Sequence, residues 1–210
     1  MRPSSTFRHP ATIVCIALLS MAIPKLCRAQ DMPTESKGEE ISAFAGGLSV
    51  APDYDTPRDT GIVAGATFTR FFEALPFAPA FEARATDVHG PTVDERTVSF
   101  GLQATRRFHR FYPYANFLIG IGSIVYAVNP VPGEHEDRGR EFSLGGGLDI
   151  DIVHNIRARI DFQQQFWNLG TNPTLAPRAP NNVYTLSPTA IMIGINYVIP
   201  FRPHLGFRGR

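Results

Sequence analysis

From Ile41 onward the chain alternates apolar and polar side chains with a period of two, and no stretch carries a 3.6-residue apolar period long enough for a helix. Eight segments read as strands: Ile41 to Val50, Gly61 to Phe71, Phe77 to Asp87, Arg96 to Arg106, Pro113 to Ala127, Glu141 to Ile152, Ile156 to Trp167 and Tyr184 to Ile199. In the fourth, Val98, Phe100, Leu102 and Ala104 oppose Thr97, Ser99, Gly101, Gln103 and Thr105. In the sixth, Phe142, Leu144, Gly146, Leu148 and Ile150 oppose Glu141, Ser143, Asp149 and Asp151. The seventh sets Ile156, Ala158, Ile160, Phe162 and Phe166 against Arg157, Arg159, Asp161, Gln163 and Gln165, with Gln164 interrupting its apolar side. One face of the sheet is therefore apolar and the other carries charges and amides.

The segments are close to the roughly 9 to 11 residues that a tilted strand needs to cross a bilayer. Their connections alternate. APDYDTPRD, VHGPTVDE, VNPVPGEHEDRG and LGTNPTLAPRAPNNV are polar and turn-rich, whereas FEALP, HRFYP and VHN are short. Antiparallel neighbours reverse at each connection, so the longer loops gather at one rim and the tight turns at the other. This predicts an all-β, eight-stranded, antiparallel up-and-down barrel.

Alternation by itself does not say which face points inward. A soluble, lipocalin-like barrel for a small apolar ligand hides its apolar face, whereas a transmembrane barrel shows it to lipid. Small residues assigned to the polar face favour the crowded interior of the second kind: Ala43, Ala45, Gly47, Ser49, Gly65, Gly101, Gly120, Gly122, Gly145, Gly147 and Gly194. They leave room for a lumen charge network of Glu82, Arg84, Asp149, Asp151, Arg157, Arg159 and Asp161. Aromatic residues also collect at two levels, as interfacial girdles require. Phe71, Phe72, Phe108, Phe111, Tyr112, Tyr197 and Phe201 fall near the tight turns, and Tyr126, Trp167 and Tyr184 near the longer loops.

Charge and cysteine content change meaning once the first residues are read. Arg2 and Arg8 precede the apolar run from Ala11 to Ile23, and Cys27 and Ala29 are small residues before a cleavage point, the pattern of a secretory signal over 1–29. The full chain of 210 residues has net charge +1 and 2 Cys. Removing 29 residues, which hold four basic side chains, no acidic ones and both cysteines, leaves 181 residues with 16 basic and 19 acidic groups, net −3. Such a chain gives nucleic acid no basic surface and carries no thiolate for a zinc site. Residues 30–40 read as a flexible leader, 41–201 as the barrel and 202–210 as a short tail.

The order of these pieces resembles the small outer-membrane β-barrel superfamily, the group of the transmembrane domain of outer-membrane protein A and its single-domain relatives. Glu141 to Phe166, EFSLGGGLDIDIVHNIRARIDFQQQF, is similar to the Gly-rich strand, acidic end, short turn and Arg-bearing strand of such barrels. YPYANFLIGIGSIVYA, Tyr112 to Ala127, resembles the preceding strand, and TAIMIGINYVIPF the closing one. The resemblance implies tight periplasmic turns, longer outer loops and a location in the cell outer membrane. It also implies a monomer among outer-membrane lipid and lipopolysaccharide, inserted by the barrel assembly machinery. Phe201 is the candidate assembly signal, although RPHLGFRGR follows it.

Eight strands enclose an interior that side chains fill. The expected role is therefore structural, surface-interacting or adhesion-like with a largely plugged lumen, any extracellular partner meeting the long loops, especially Asn168 to Val183. A narrow ion pore is the alternative. Neither a cofactor nor a metal is expected, since Glu134, His135, Glu136 and Asp137 are adjacent in sequence and poorly spaced to converge on an ion. Catalysis is not expected either, because Ser187 and His154 fall at opposite rims, far beyond the ~3 Å of general-base activation.

Overall fold

The computed structural model describes residues 38–53, 58–72, 74–91, 93–126, 136–170 and 184–199. Nine strands lie among them: β1 (Glu39–Ala51), β2 (Asp59–Arg70), β3 (Ala78–His89), β4 (Val93–Thr105), β5 (Phe111–Tyr126), β6 (Glu136–Val153), β7 (Ile156–Gly170), β8 (Tyr184–Leu186) and β9 (Thr189–Val198). Consecutive strands from β1 to β7 pair antiparallel, β8 and β9 both pair with β7, and β9 pairs with β1. The sheet thus closes on itself with eight staves, β9 meeting β1 and β7, and among the described residues only the short β8 is paired on one side alone, with β7.

The eighth stave is two pieces because Pro188 has no N–H for the ladder. Its gap is bridged from β7. The Gln164 amide donates to the Ser187 carbonyl at 2.7 Å, and the Gln165 N–H donates to the Pro188 carbonyl at 2.9 Å. The polar residue that interrupts the apolar side of β7 therefore supplies a donor to the backbone where the ladder breaks at the proline.

Two tight hairpins need left-handed backbone, adopted by His109 (φ 56) and Asn155 (φ 64). They share a rim with the chain's entry at Glu39 and its exit after Val198. At the opposite rim, the expected long connection over 88–95 contracts to residues 90–92. β3 and β4 extend past the expected ends, with Val88 and Val93 buried in the lumen and His89 Nδ1 3.0 Å from Asp94.

Side chains alternate across the wall. Leu102, Ile121, Leu144, Phe162 and Ile193 face outward and are exposed, whereas Glu82, Ser99, Asp161, Gln163 and Asn196 face inward and are buried. Such an exterior would be insoluble in water and suits hydrocarbon, so the water-soluble binding barrel is excluded.

β1 reverses the expected facing. Ala43, Ala45 and Gly47 point outward, while Ser42, Phe44, Leu48 and Val50 are buried inside. Both faces of this strand are apolar or small, so polarity does not fix its parity. Glu40 does. It lies in β1 rather than in a flexible leader, and a carboxylate barred from lipid carries every even-numbered neighbour inward with it.

The aromatic girdles also need correction. Phe72, Phe108 and Phe111 are exposed near the tight turns, but Tyr112 and Trp167 are buried in the lumen. Phe71 lines the lumen mouth beside Arg157. Inward parity on β2, β5 and β7 decides this, whatever the rim position of the ring.

Candidate functional site

The lumen holds a bonded charge network toward the tight turns and, above it, apolar clusters with the buried carboxylates Asp59, Glu95 and Glu141 beside them. Nearest the tight turns, Arg157 clasps Glu40 with two parallel bonds, Nη1 to Oε1 at 2.6 Å and Nη2 to Oε2 at 2.9 Å. Its Nε donates to Asp151 at 2.9 Å, and its guanidinium lies 3.8 Å above the Tyr112 ring. The Tyr112 hydroxyl completes the group by donating to Asp151 at 3.1 Å.

One level higher, Glu82 accepts from Arg84 Nε at 2.7 Å and from Arg159 Nη2 at 3.0 Å. Arg84 reaches across the lumen to Asp161 with Nη1 at 3.0 Å and Nη2 at 3.2 Å. Asp161 also accepts from the Tyr114 hydroxyl at 2.5 Å and from the Gln163 amide at 3.0 Å, and the Gln163 and Asn116 amides meet at 2.9 Å. Asp149 accepts from Asn196 at 2.7 Å, with Arg159 Nη1 3.8 Å away.

Arg159 is fully buried yet spends little of its hydrogen-bonding capacity, since its Nε and Nη1 have no hydrogen-bond partner. Its flat faces are used instead. The guanidinium carbon lies 4.0 Å from the Phe44 ring centre and 4.4 Å from that of Tyr114, so cation–π contact holds it between two rings. Gly65 makes this possible, because a Cβ there would overlap the Phe44 ring.

Above the charges, Phe44, Leu48, Val50, Val63, Val88, Ala190 and Met192 pack as one apolar cluster, and Val93, Ile124 and Trp167 as another. The Trp167 ring lies where a side chain at position 122 would sit, so glycine is required there. Its indole N–H donates to Gln165 at 3.0 Å.

All seven residues singled out in the sequence as lumen charges, Glu82, Arg84, Asp149, Asp151, Arg157, Arg159 and Asp161, meet in these two levels. Sequence reasoning missed Glu40, Tyr112, Tyr114, Asn116 and Gln163, together with the apolar upper half. Gln163 does share the parity of Arg157, Arg159 and Asp161 on β7, a usable signal, whereas β5 carries no charged residue beside Asn116. Glu40 precedes any visible alternation, so only register reveals it. The buried carboxylates Glu95 and Glu141 lie higher in the wall. Phe201 and most of the segment from Asn168 to Val183 fall outside the described residues, as do residues 1–37 and 202–210.

Of the acidic stretch expected in the third long loop, Glu136 is the first residue of β6 and is bound by Arg138 Nε at 2.8 Å and by the Ser123 hydroxyl at 2.5 Å. Glu134 and His135 lie outside the described residues. Among the described residues no three His, Cys, Asp or Glu side chains are grouped to hold a metal. Ser187 sits between β8 and β9 at the outer rim, and His154 lies in the β6–β7 turn at the other.

No protein-family profile matches the chain, and no curated protein matches it by sequence. Among solved structures it is similar to Neisserial surface protein A, with 13% identity over 78% of this chain and 97% of that one and a TM-score of 0.44. It is similar to the outer membrane protein OprG from Pseudomonas aeruginosa, with 17% identity over 79% and 97% and a TM-score of 0.43. It is also similar to Ail, the attachment invasion locus protein of Yersinia pestis, with 13% identity over 77% and 97% and a TM-score of 0.44.

The closed antiparallel ladder, the apolar exterior and the charged interior of this chain themselves define its class, a small transmembrane β-barrel of the outer-membrane type. Its place is the outer membrane, where barrels of this construction reside.

Proposed function

We propose that this barrel is a structural, surface-interacting or adhesion-like protein whose lumen is plugged, and that any partner is met by the long outer loops. The observation that supports this reading is the stacking of two closures along one axis. Glu82 and Arg159 pair with both side chains fully buried, and above them Leu118, Met192 and Trp167 are at most 1% exposed. An ion would have to break a buried, multiply bonded ion pair and then pass an apolar constriction.

A non-enzymatic role fits the separation of Ser187 from His154. Insertion as a monomer by the barrel assembly machinery, with Phe201 as the signal it reads, belongs to the same proposal.

Planar-bilayer recording tests the plug. The purified barrel should be silent, and discrete conductance steps altered by Arg157→Gln or Arg159→Gln would establish the narrow ion pore instead.

A further inference from the structure

The outer wall of β4, β5 and β6 carries a feature that a lipid-facing surface does not need. Cross-strand register sets Arg96, Ser123 and Arg138 in one outward-facing row. The next row toward the tight turns is Val98, Ile121 and Arg140, and the one after it Phe100, Ile119 and Phe142. Three guanidiniums therefore stand at the upper margin of the apolar surface.

They share a hollow. Arg96, Arg138 and Arg140 line a depression of about 700 Å³, and Arg140, Val98 and Ile121 also line a second, of about 410 Å³, that continues down over Phe100, Ile119 and Phe142. The upper part is lined by the three arginines and Glu136, a net positive set, and the lower part is mostly hydrocarbon.

Charge at the site is only partly balanced from within. Asp87 accepts from Arg96 through Nε alone at 3.1 Å, and Glu136 accepts from Arg138 at 2.8 and 3.2 Å. Arg140 has no carboxylate partner among the described residues. Three guanidiniums face two carboxylates, Asp87 and Glu136, and all three arginines line the hollow. An arginine on the lipid side is costly in hydrocarbon and favourable where an anionic oxygen meets it at headgroup level.

We propose that this face binds a phosphorylated lipid of the outer leaflet, its phosphate held among Arg96, Arg138 and Arg140 and one acyl chain laid over Val98, Ile121, Phe100 and Phe142. The site rests on the transmembrane reading and adds to it a particular lipid chemistry at a particular place. It fixes the height of the barrel on this side, because the phosphate level of the leaflet must coincide with the row of Arg96 and Arg138.

Native mass spectrometry of the full barrel in detergent tests the site, with bis-phosphorylated lipid A as probe and the same lipid freed of its phosphates as control. The wild type should retain lipid A, and R138Q/R140Q should lose about tenfold in apparent affinity, the scale of one or two charge-assisted contacts. R140Q alone should lose part of it, and the dephosphorylated lipid should bind as weakly to the wild type as lipid A does to the double variant. Equal retention by R138Q/R140Q, equal binding of the dephosphorylated lipid, or displacement of lipid A by inorganic phosphate would each overturn the proposal. Heat-modifiable gel migration of the same samples separates the two claims. If the wild type lacks it, the membrane barrel itself fails; if every sample shows it and binding is unchanged, only the lipid site fails.

Discussion

Arg159 and Glu82 meet at 3.0 Å in the middle of the barrel, and neither side chain has any exposed surface. Glu82 also accepts from Arg84, so one carboxylate on β3 balances cations from its own strand and from β7 across the lumen. Glu82→Ala would leave two buried guanidiniums short of an anion and should cost about 3–5 kcal/mol of stability. Glu82→Gln keeps an acceptor oxygen and should cost clearly less. Urea titration followed by the folded and unfolded gel bands measures both, and equal stability of Glu82→Ala and wild type would show that the pair carries no weight.

Trp167 is the chain's single tryptophan, and its ring is inside the wall rather than in an interfacial girdle. Its emission should stay unquenched when the barrel is reconstituted in brominated lipid. In a Trp167→Phe background, Phe100→Trp should be strongly quenched by the same lipid. Strong quenching of the native tryptophan would place it on the lipid side.

Gly122 faces that ring, and the nearest atoms to a side chain added there all belong to Trp167. Gly122→Leu should destabilise by roughly 1–3 kcal/mol through overpacking. Adding Trp167→Ala should recover part of the loss, with a coupling of roughly 0.5–3 kcal/mol of rescuing sign. Strict additivity of the two substitutions would mean that they do not touch.

Ile193 projects outward from β9, opposite Ile160 of β7. In a bilayer, Ile193→Lys should cost roughly 2–4 kcal/mol, as a charge on the lipid face does near the midplane. A substitution at so exposed a position on a water-soluble barrel would be nearly neutral, so a negligible effect in lipid vesicles would contradict the facing of the wall.

Gln164 supplies a donor to the Ser187 carbonyl beside Pro188. Gln164→Leu keeps the bulk and removes the bond, leaving a backbone acceptor unpaired near hydrocarbon. A loss of about 1–3 kcal/mol is expected, with faster amide exchange confined to β9 and the facing part of β7. Unchanged exchange there would show that the break in the stave needs no bridge.

The period of two, the strand lengths and the alternation of short and longer connections were legible in the chain because β-structure writes itself into neighbouring residues: successive side chains must face opposite media. For β4, β6 and β7 the two media differ so sharply in polarity that parity alone assigns Arg157, Arg159 and Asp161 to one side and Ile160 and Phe162 to the other. β1 shows where that information ends. Its faces are both greasy, so the side on which Phe44 falls depends on Glu40 finding Arg157, a partner 117 positions away. The same holds for which charges pair, for the rings that sandwich Arg159 and for the apolar plug around Trp167. Local sequence determines the periodicity and the two surfaces; register and barrel closure decide the contacts, because they bring together residues from strands that the chain by itself leaves far apart.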